Sequence, residues 1–281
     1  MAADFRDTRP AETVRQPTFF VPHGGGPCFF MDWTPPDAWN HLRAFPAQLP
    51  TSLPAPPKAL LVISAHWEAP VFTFQSDLAP GLLYDYDGFP PHTYRLTWPA
   101  PGAPALAQRA ADLLAVAGIG TAFEERRDFD HGVFVPLKIA FPEATIPCAQ
   151  MSLEASLDPE AHLAAGRALA PLRDEGVLII GSGNSFHNMQ ALTAGMSGRT
   201  QSVAGLDFDA WLSEAATHPE PRERDRRLTA WAAARGARHA HPRDEHLMPL
   251  HVVAGAAGAD RGRKTLEDRV IGAVESAYQF G

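Results

Sequence analysis

Two histidines follow apolar runs that have the composition of buried strands. His23 comes directly after Thr18-Phe19-Phe20-Val21-Pro22 and precedes three glycines and a proline, and His66 ends the run that begins at Ala59. β-Branched and aromatic residues favour strands, whereas glycine and proline end a strand. Open α/β sheets bind their ligands at the carboxyl ends of the strands. The two imidazoles are therefore predicted to form the floor of a metal site.

Three further histidines lie near the ends of predicted elements, namely His131, His187 and His246. Neutral imidazole is the commonest protein ligand for zinc, iron and copper. No HExxH or CxxC motif is present, so the usual zinc signatures are absent. The other seven histidines occur in helix-like, exposed or loop contexts and are interpreted as non-ligands: His41, His92, His162, His218, His239, His241 and His251.

The elements that must position these histidines are predicted as strands alternating with helices. Strands are predicted near 18–21, 59–66, 71–75, 121–123, 146–151 and 177–180, with a closing strand or hairpin in 269–280. One helix is predicted to start near 34–39. Further helices are predicted over 104–117, 133–141, 158–175, 205–217, 221–235 and 246–258. The proline-rich stretch 46–57 is predicted to be a surface connection. This alternation predicts a single-domain α/β fold with a central mostly parallel or mixed sheet flanked by helices.

Composition argues against nucleic acid and membranes as partners of this protein. The 281 residues carry a net charge of −8 without a basic block, which argues against nucleic acid as a partner. No stretch reaches the ~20 apolar residues of a membrane span, so no membrane partner is expected. Residues 1–16 are predicted to be a loose N-terminal arm, not a secretory signal, before a single catalytic domain over 17–281. With only Cys28 and Cys148, a cytoplasmic location is expected.

Six motifs occur in register along the chain: His23-Gly24-Gly25-Gly26-Pro27, Ser64-Ala65-His66-Trp67-Glu68, Asp85-Tyr86-Asp87-Gly88-Phe89-Pro90, Asp130-His131-Gly132 through Val135-Pro136-Leu137, Gly181-Ser182-Gly183 to His187-Asn188, and Glu245-His246-Leu247-Met248-Pro249-Leu250. In this order they resemble the class III extradiol ring-cleavage dioxygenases, DOPA 4,5-dioxygenase-like branch. The resemblance runs from Thr18 to Phe280.

The resemblance implies a non-haem Fe(II) enzyme that cleaves a DOPA-like or other substituted catechol with O2, as a monomer or small homo-oligomer. It implies Fe(II) as the working metal and allows for Zn(II) in the isolated protein. By motif position His23, His66 and His246 would be metal ligands. His187 would lie against the metal as a fourth ligand or as the acid/base, and His131 would contact substrate or bound oxygen.

Three alternatives stay open at this stage. Glu245 adjoins His246 and is the rival third ligand, because related dioxygenases outside this branch use a glutamate; His246 is favoured since imidazole suits iron and zinc alike. A zinc-dependent hydrolase on a similar α/β scaffold would use metal-bound hydroxide. A closed four-coordinate structural site would need no catalysis at all.

The substrate pocket has fewer signals. The aromatic segment from Tyr84 to Tyr94 is typical of a packed loop or of a lid over a flat ligand. Phe89 and Trp67 are candidates for a ring pocket or for the core. Three arginines are candidate partners for a substrate carboxylate or else surface residues: Arg95, Arg127 and Arg243.

Overall fold

The strands of the protein form one mixed sheet. The computed structural model describes residues 13–196 and 203–281. The described strands are β1 (Thr18–Pro22), β2 (Ala59–Ala69), β3 (Phe72–Gln75), β4 (Thr121–Glu124), β5 (Cys148–Glu154), β6 (Val177–Gly183), β7 (Gly262–Val270) and β8 (Ala273–Phe280). Their order across the sheet is β4-β3-β5-β2-β6-β1-β8-β7. The predicted single-domain α/β architecture is confirmed.

The centre of the sheet is parallel, and this positions the histidines. Strands β5, β2, β6 and β1 are parallel neighbours, whereas β8 pairs antiparallel to β1 and β7 pairs antiparallel to β8. The carboxyl ends of β1, β2 and β6 therefore meet at one edge. His23 follows β1 directly, and His187 lies four positions after the last residue of β6.

Helices cover both faces of the sheet. They are α1 (Asn40–Ser52), α2 (Pro104–Val116), α3 (His131–Ala140), α4 (Pro159–Leu169), α5 (Pro171–Asp174), α6 (Met189–Met196), α7 (Val203–Ala216), α8 (Pro221–Thr229), α9 (Ala237–Ala240) and α10 (Met248–Ala257). One apolar core packs α2, α4, α7 and α10 against the sheet, and a second packs α1 and α3 against the other face. None of the described helices has the length and hydropathy that a membrane crossing requires.

Strand β2 continues beyond the predicted end at His66. Its pairing with β5 changes register between Ile63 and Glu68, so His66 lies in an irregular stretch within the strand. Such an irregularity changes the direction of a side chain relative to the regular pleat. The sequence predicted that the strand ends at His66. In the structure the irregular pairing of β2, and not the end of the strand, exposes the imidazole.

The prediction that 46–57 is only a connection was wrong for its first half. Helix α1 runs through Pro46 and Pro50 to Ser52. Its buried positions are Leu42, Pro46 and Leu49, which follow helical spacing on one face. Burial of this face compensates for the backbone hydrogen bonds that proline cannot donate.

Residues 1–12 of the predicted N-terminal arm lie outside the described residues. The remainder of that segment contacts the domain. Gln16 is buried, its backbone N–H donates to the Arg173 carbonyl, and its side chain donates to the Ala55 carbonyl.

Candidate metal centre and active site

Three imidazoles from distant parts of the chain converge at the carboxyl edge of the parallel strands. One nitrogen each of His23, His66 and His246 lies within 4.8 Å of the others. His23 and His246 are almost fully buried, and the His66 side chain is 21% exposed. The sequence placed two of these histidines near strand ends and the third beside a late helix. The structure brings all three together.

The groups behind each ring set its tautomer. The Ser182 hydroxyl donates to the Gly132 carbonyl, so it accepts from His23 Nδ1 at 3.0 Å. The Glu245 carboxylate accepts from His246 Nδ1 at 2.9 Å, and Asp85 Oδ2 lies 3.3 Å from His66 Nδ1. His23 and His246 therefore carry their proton on the outer nitrogen and direct an unprotonated Nε2 inward, and the negative charge beside Nδ1 favours the same tautomer for His66.

The inward nitrogens fit a metal ion. His23 Nε2 and His66 Nε2 face each other at 3.1 Å, and with the tautomers above neither has a proton to donate. His246 Nε2 is buried and has no hydrogen-bond partner among the described residues. Buried polar atoms are normally satisfied, and lone pairs directed at one another repel. A cation between the three nitrogens resolves both conflicts, and imidazole suits Zn, Fe and Cu.

Burial also keeps these rings neutral. Desolvation, followed by the neighbouring histidines, lowers the pKa of His23 and of His66 well below the ordinary value. Desolvation lowers the pKa of His246 to about 3, although the hydrogen bond to Glu245 opposes it. Neutral imidazole is the form that binds a metal, so the site is prepared for a cation without first releasing protons.

Asp85 lies between His131 and His66, one of the three converging imidazoles. Its Oδ1 accepts from His131 Nδ1 at 2.7 Å and from the His131 backbone N–H at 3.0 Å, and its Oδ2 lies 3.3 Å from His66 Nδ1. Desolvation raises the pKa of Asp85, but the hydrogen bonds from His131 outweigh it and the net shift is downward. Asp85 is thus an anion that orients two imidazoles, a role the sequence did not assign to it.

The His187 ring lies against the ring of His246, one of the three converging histidines. The two rings stack with their centroids 3.3 Å apart, and His187 Nδ1 lies 3.4 Å from Glu245 Oε1. The structure groups His187 with Glu245 and His246, separately from the three converging nitrogens.

Glu245 contacts His246 at the protonated nitrogen. Its carboxylate also accepts from Arg243 at 3.2 Å. Burial raises the pKa of Glu245, but hydrogen bonds from His187 and His246 hold it far below its ordinary range. A carboxylate that accepts from the outer nitrogen of an imidazole in this way is the usual arrangement around metal-bound histidine.

Small residues allow these elements to approach. A Cβ on Gly183 would overlap the carbonyl oxygen of His246, so only glycine lets the start of α10 reach β6. Asn184 then fixes the turn after β1, because its amide donates to the Gly24 carbonyl at 3.1 Å and accepts from the Gly24 N–H at 3.2 Å. The glycine-rich motifs therefore serve the close packing of the histidine-bearing turns.

A cavity of about 360 Å³ opens onto the histidines. All five predicted site histidines line it, and its remaining wall is mainly apolar. Phe89 lines the cavity, whereas Trp67 lies outside it with the Arg127 guanidinium 4.6 Å above its ring. The aromatic segment packs on itself and also forms part of the cavity wall. Tyr86 contacts Phe89, Tyr94 and His131, and it lines the cavity.

Two supporting residues had no distinct signal in the sequence. Asp85 lies in a motif that also contains Asp87, and nothing in the pattern tells the two carboxylates apart. Ser182 is one of several small residues in a glycine-rich strand end. Asp85 is separated from the rings it supports by 19 and 46 positions, and Ser182 lies 159 positions from His23, so only the fold reveals the pairs.

Comparison with known proteins gives consistent matches along the chain. Residues 19–280 match the family model described as the catalytic LigB subunit of aromatic ring-opening dioxygenase. A protein of Beta vulgaris named 4,5-DOPA dioxygenase extradiol is 38% identical, covering 94% of this chain and 96% of its own length. A protein of the same name from Escherichia coli K12 is 33% identical over 87% of this chain and 86% of its own.

A fungal dioxygenase and a solved structure also match most of the chain. The dioxygenase tasH of Hapsidospora irregularis is 37% identical, covering 94% of this chain and 85% of its own length. The crystal structure of an uncharacterized protein from Escherichia coli K12 superposes with a TM-score of 0.77 at 30% identity, covering 95% of this chain and all of that one.

Proposed function

The chain belongs to the family of the catalytic LigB subunit of aromatic ring-opening dioxygenases and is an extradiol ring-cleavage dioxygenase, and on this basis we propose that it opens the ring of a DOPA-like or other substituted catechol with Fe(II) and O2. The convergence of three unprotonated imidazole nitrogens at the floor of an open cavity supports this proposal most directly.

His23, His66 and His246 would hold the metal through Nε2. With three neutral ligands, a catecholate dianion balances the charge of a divalent ion. A metal held there supplies Lewis acidity that lowers the pKa of a catechol hydroxyl, and iron adds the redox chemistry that O2 requires. The open cavity beside the nitrogens favours access of substrate over a closed structural site.

His187 and His131 would handle protons and orient the substrate. Both line the cavity and keep their Nδ1 atoms occupied by carboxylates, which leaves Nε2 available for the substrate. A base at His187 Nε2 can accept a proton from a catechol hydroxyl and return it when the ring opens. His187 is stacked on His246, so it is also the candidate for a fourth ligand.

The names of the relatives support the substrate class. Proteins of Beta vulgaris and Escherichia coli K12 carry the name 4,5-DOPA dioxygenase extradiol. The apolar and aromatic wall of the cavity suits a flat ring.

Ring cleavage is tested by loading the protein with Fe(II) without oxygen and then adding a catechol in air. The expected result is a yellow ring-opened product with one O2 consumed for each catechol. Substrate turnover without oxygen uptake would instead indicate the zinc-dependent hydrolase. His187→Ala and His131→Ala are expected to lower kcat by at least 100-fold, the scale of acid–base catalysis. His41→Ala is the matched control, because the His41 side chain is 67% exposed and lies outside the cavity. Full activity in both His187→Ala and His131→Ala would refute their assigned roles.

A further inference from the structure

Glu275 lines the cavity that contains the site histidines, but it has no role in the chemistry described above. The residue is only 5% exposed. Glutamate is rarely buried to this extent unless its carboxyl group has a partner, because the charged form loses its water. A buried carboxyl group in the wall of an active cavity is therefore a candidate for contact with the substrate.

The fold brings Glu275 to the cavity on a strand that carries none of the histidines. Strand β8 pairs antiparallel to β1, so the first residues of β8 lie near the end of β1, where His23 follows. The turn before β8 consists of Ile271 and Gly272, both with positive φ (51° and 77°), and Ile271 lines the cavity as well. The beginning of β8 is therefore part of the same cavity wall.

Ser185 orients the Glu275 carboxyl group. The Ser185 backbone N–H donates to Glu275 Oε2 at 2.9 Å, and the Ser185 hydroxyl oxygen lies 3.3 Å from the same atom. This hydroxyl accepts from the Ser276 N–H at 2.7 Å, so its own proton can be donated to the carboxyl group. Both contacts involve Oε2, so they orient the group without using Oε1. A group that is held in place before binding loses less entropy when a ligand arrives.

The Glu275 carboxyl group keeps its proton at neutral pH. Burial raises its pKa to about 8, although hydrogen bonds from Ser185 and from the Phe186 backbone N–H oppose this shift. A cation beside the carboxyl group would reverse the balance, because an opposite charge favours the ionised form. Ionisable groups whose pKa is displaced in this way within a cleft are typical of functional sites.

Several other groups of the wall attract cations. Asp87 lines the cavity and is exposed to solvent. Trp33, Trp39 and Tyr86 contribute aromatic rings, whose faces attract ammonium groups. A hydrogen bond between an ammonium group and a carboxylate is also roughly twice as strong as one between neutral groups. An ammonium group therefore fits this wall better than a neutral hydroxyl does.

We propose that Glu275 binds the ammonium group of an aminoalkyl substituent on the catechol ring. The inference rests on the proposed function and names the contact by which that site recognises its substrate class, the catecholic amines and catecholic amino acids. The contact involves the ammonium group alone, whether or not the same substituent also carries a carboxylate, as that of DOPA does.

The test uses two pairs of catechols in which one member has an ammonium group and the other lacks it. Dopamine and 4-propylcatechol carry ammonium or methyl at the end of the same two-carbon spacer. L-DOPA and 3-(3,4-dihydroxyphenyl)propanoate form the second pair, in which both members carry a carboxylate. The Kd of each compound for the Fe(II)-loaded protein is measured under argon by isothermal titration calorimetry. In each pair the ammonium compound is expected to have the lower Kd.

Glu275→Gln removes the charge but keeps the size of the side chain and an acceptor for the Ser185 N–H. The variant is expected to raise the Kd of dopamine and of L-DOPA about tenfold or more, the scale of a hydrogen bond to a charged group. The Kd values of the other two compounds should change less than about twofold, which also shows that the variant is folded.

Asp87→Asn is the matched control. It removes a carboxylate from the same cavity wall at an exposed position, where water and salt screen the charge. All four Kd values should therefore change less than about threefold. A loss of dopamine binding as large as that in Glu275→Gln would show that the overall charge of the cavity, and not contact with Glu275, attracts the ammonium group.

Four outcomes would overturn the assignment of Glu275. They are unchanged Kd values for dopamine and L-DOPA in Glu275→Gln, equal losses for all four compounds, the large loss in Asp87→Asn, and binding of none of the four compounds. A loss confined to the two compounds with a carboxylate would also overturn it, because Glu275 would then bind that group instead.

Ring opening and O2 uptake after air is admitted test the proposed function separately. If the Kd pattern holds but no ring is opened, the ammonium contact stands and the dioxygenase reaction on these catechols fails. If rings are opened while Glu275→Gln leaves every Kd unchanged, the dioxygenase reaction stands and the ammonium contact fails.

Discussion

Replacement of Asp85 by asparagine tests how the chain prepares its imidazoles for a metal. Asp85 Oδ1 accepts from His131 Nδ1 at 2.7 Å, and Asp85 Oδ2 lies 3.3 Å from His66 Nδ1, where its negative charge favours a proton on that nitrogen. An asparagine has one acceptor and one donor in their place, so its NH2 group would face the N–H of one ring. If that ring is His66, its proton must move to Nε2, and the nitrogen directed at the metal is lost.

The expected size of the effect follows from the two contacts. The His66 contact is the longer one, so it is the weaker constraint, and its loss should cost less than removal of a ligand. Loss of a supporting carboxylate typically lowers metal affinity by about 10- to 100-fold, which corresponds to about 1.4–2.8 kcal/mol. We therefore expect Asp85→Asn to weaken Zn(II) binding within that range.

The assay is competition for Zn(II) against a chromophoric chelator of known affinity. The control is Asp87→Asn in the same loop, because the Asp87 carboxylate accepts only from its neighbour Gly88 N–H among the described contacts. Its affinity for Zn(II) should equal that of the unmodified protein. Equal affinity in Asp85→Asn would show that the carboxylate does not orient His66 and would refute the tautomer argument.

Three further changes have defined outcomes. Glu245→Gln should lower Zn(II) affinity only about tenfold while His246→Ala abolishes stoichiometric binding, measured by the same competition; the reverse order would make Glu245 the ligand. Ile271→Asn should raise the free energy of unfolding in urea by about 1 kcal/mol while weakening binding of 4-propylcatechol, because it relieves the positive-φ strain and removes apolar wall. Burial raises the pKa of Glu275 to about 8, so the folded chain retains a proton that the unfolded chain releases near pH 4.3. Between these values stability should therefore fall as pH rises, by on the order of 4 kcal/mol relative to Glu275→Gln. Urea unfolding from pH 4 to pH 8 that shows no such difference would contradict the buried-carboxyl argument.

The sequence predicted the fold because its local signals agree with its tertiary structure. Apolar runs such as 177–180 form central strands, and Asp158 caps α4 by accepting from the Glu160 N–H, as its position before Pro159 predicts. Prediction failed where tertiary burial overrode local propensity. Helix α1 tolerates Pro46 and Pro50 because one of its faces, which includes Pro46, is buried, and no local rule reports that burial.

The sequence singled out the histidines that converge in the candidate site, but not the residues that contact their outer nitrogens. A histidine that follows or closes a buried apolar run indicates where an imidazole can reach a cleft, and this pattern singled out His23 and His66. The residues that fix the rings come from other segments: Ser182 supports His23, and Asp85 supports His66 and His131. Hydrogen bonds between positions so far apart leave no periodic trace in the sequence.

X-ray absorption on the Zn(II)-loaded protein tests the central claim most directly, because it counts the imidazoles around the ion. Three nitrogen neighbours at about 2.0–2.1 Å with imidazole scattering, plus light oxygen neighbours, are expected, and one imidazole should disappear in His23→Ala. A closed shell without any oxygen neighbour, a sulfur neighbour, or a spectrum unchanged in His23→Ala would contradict it.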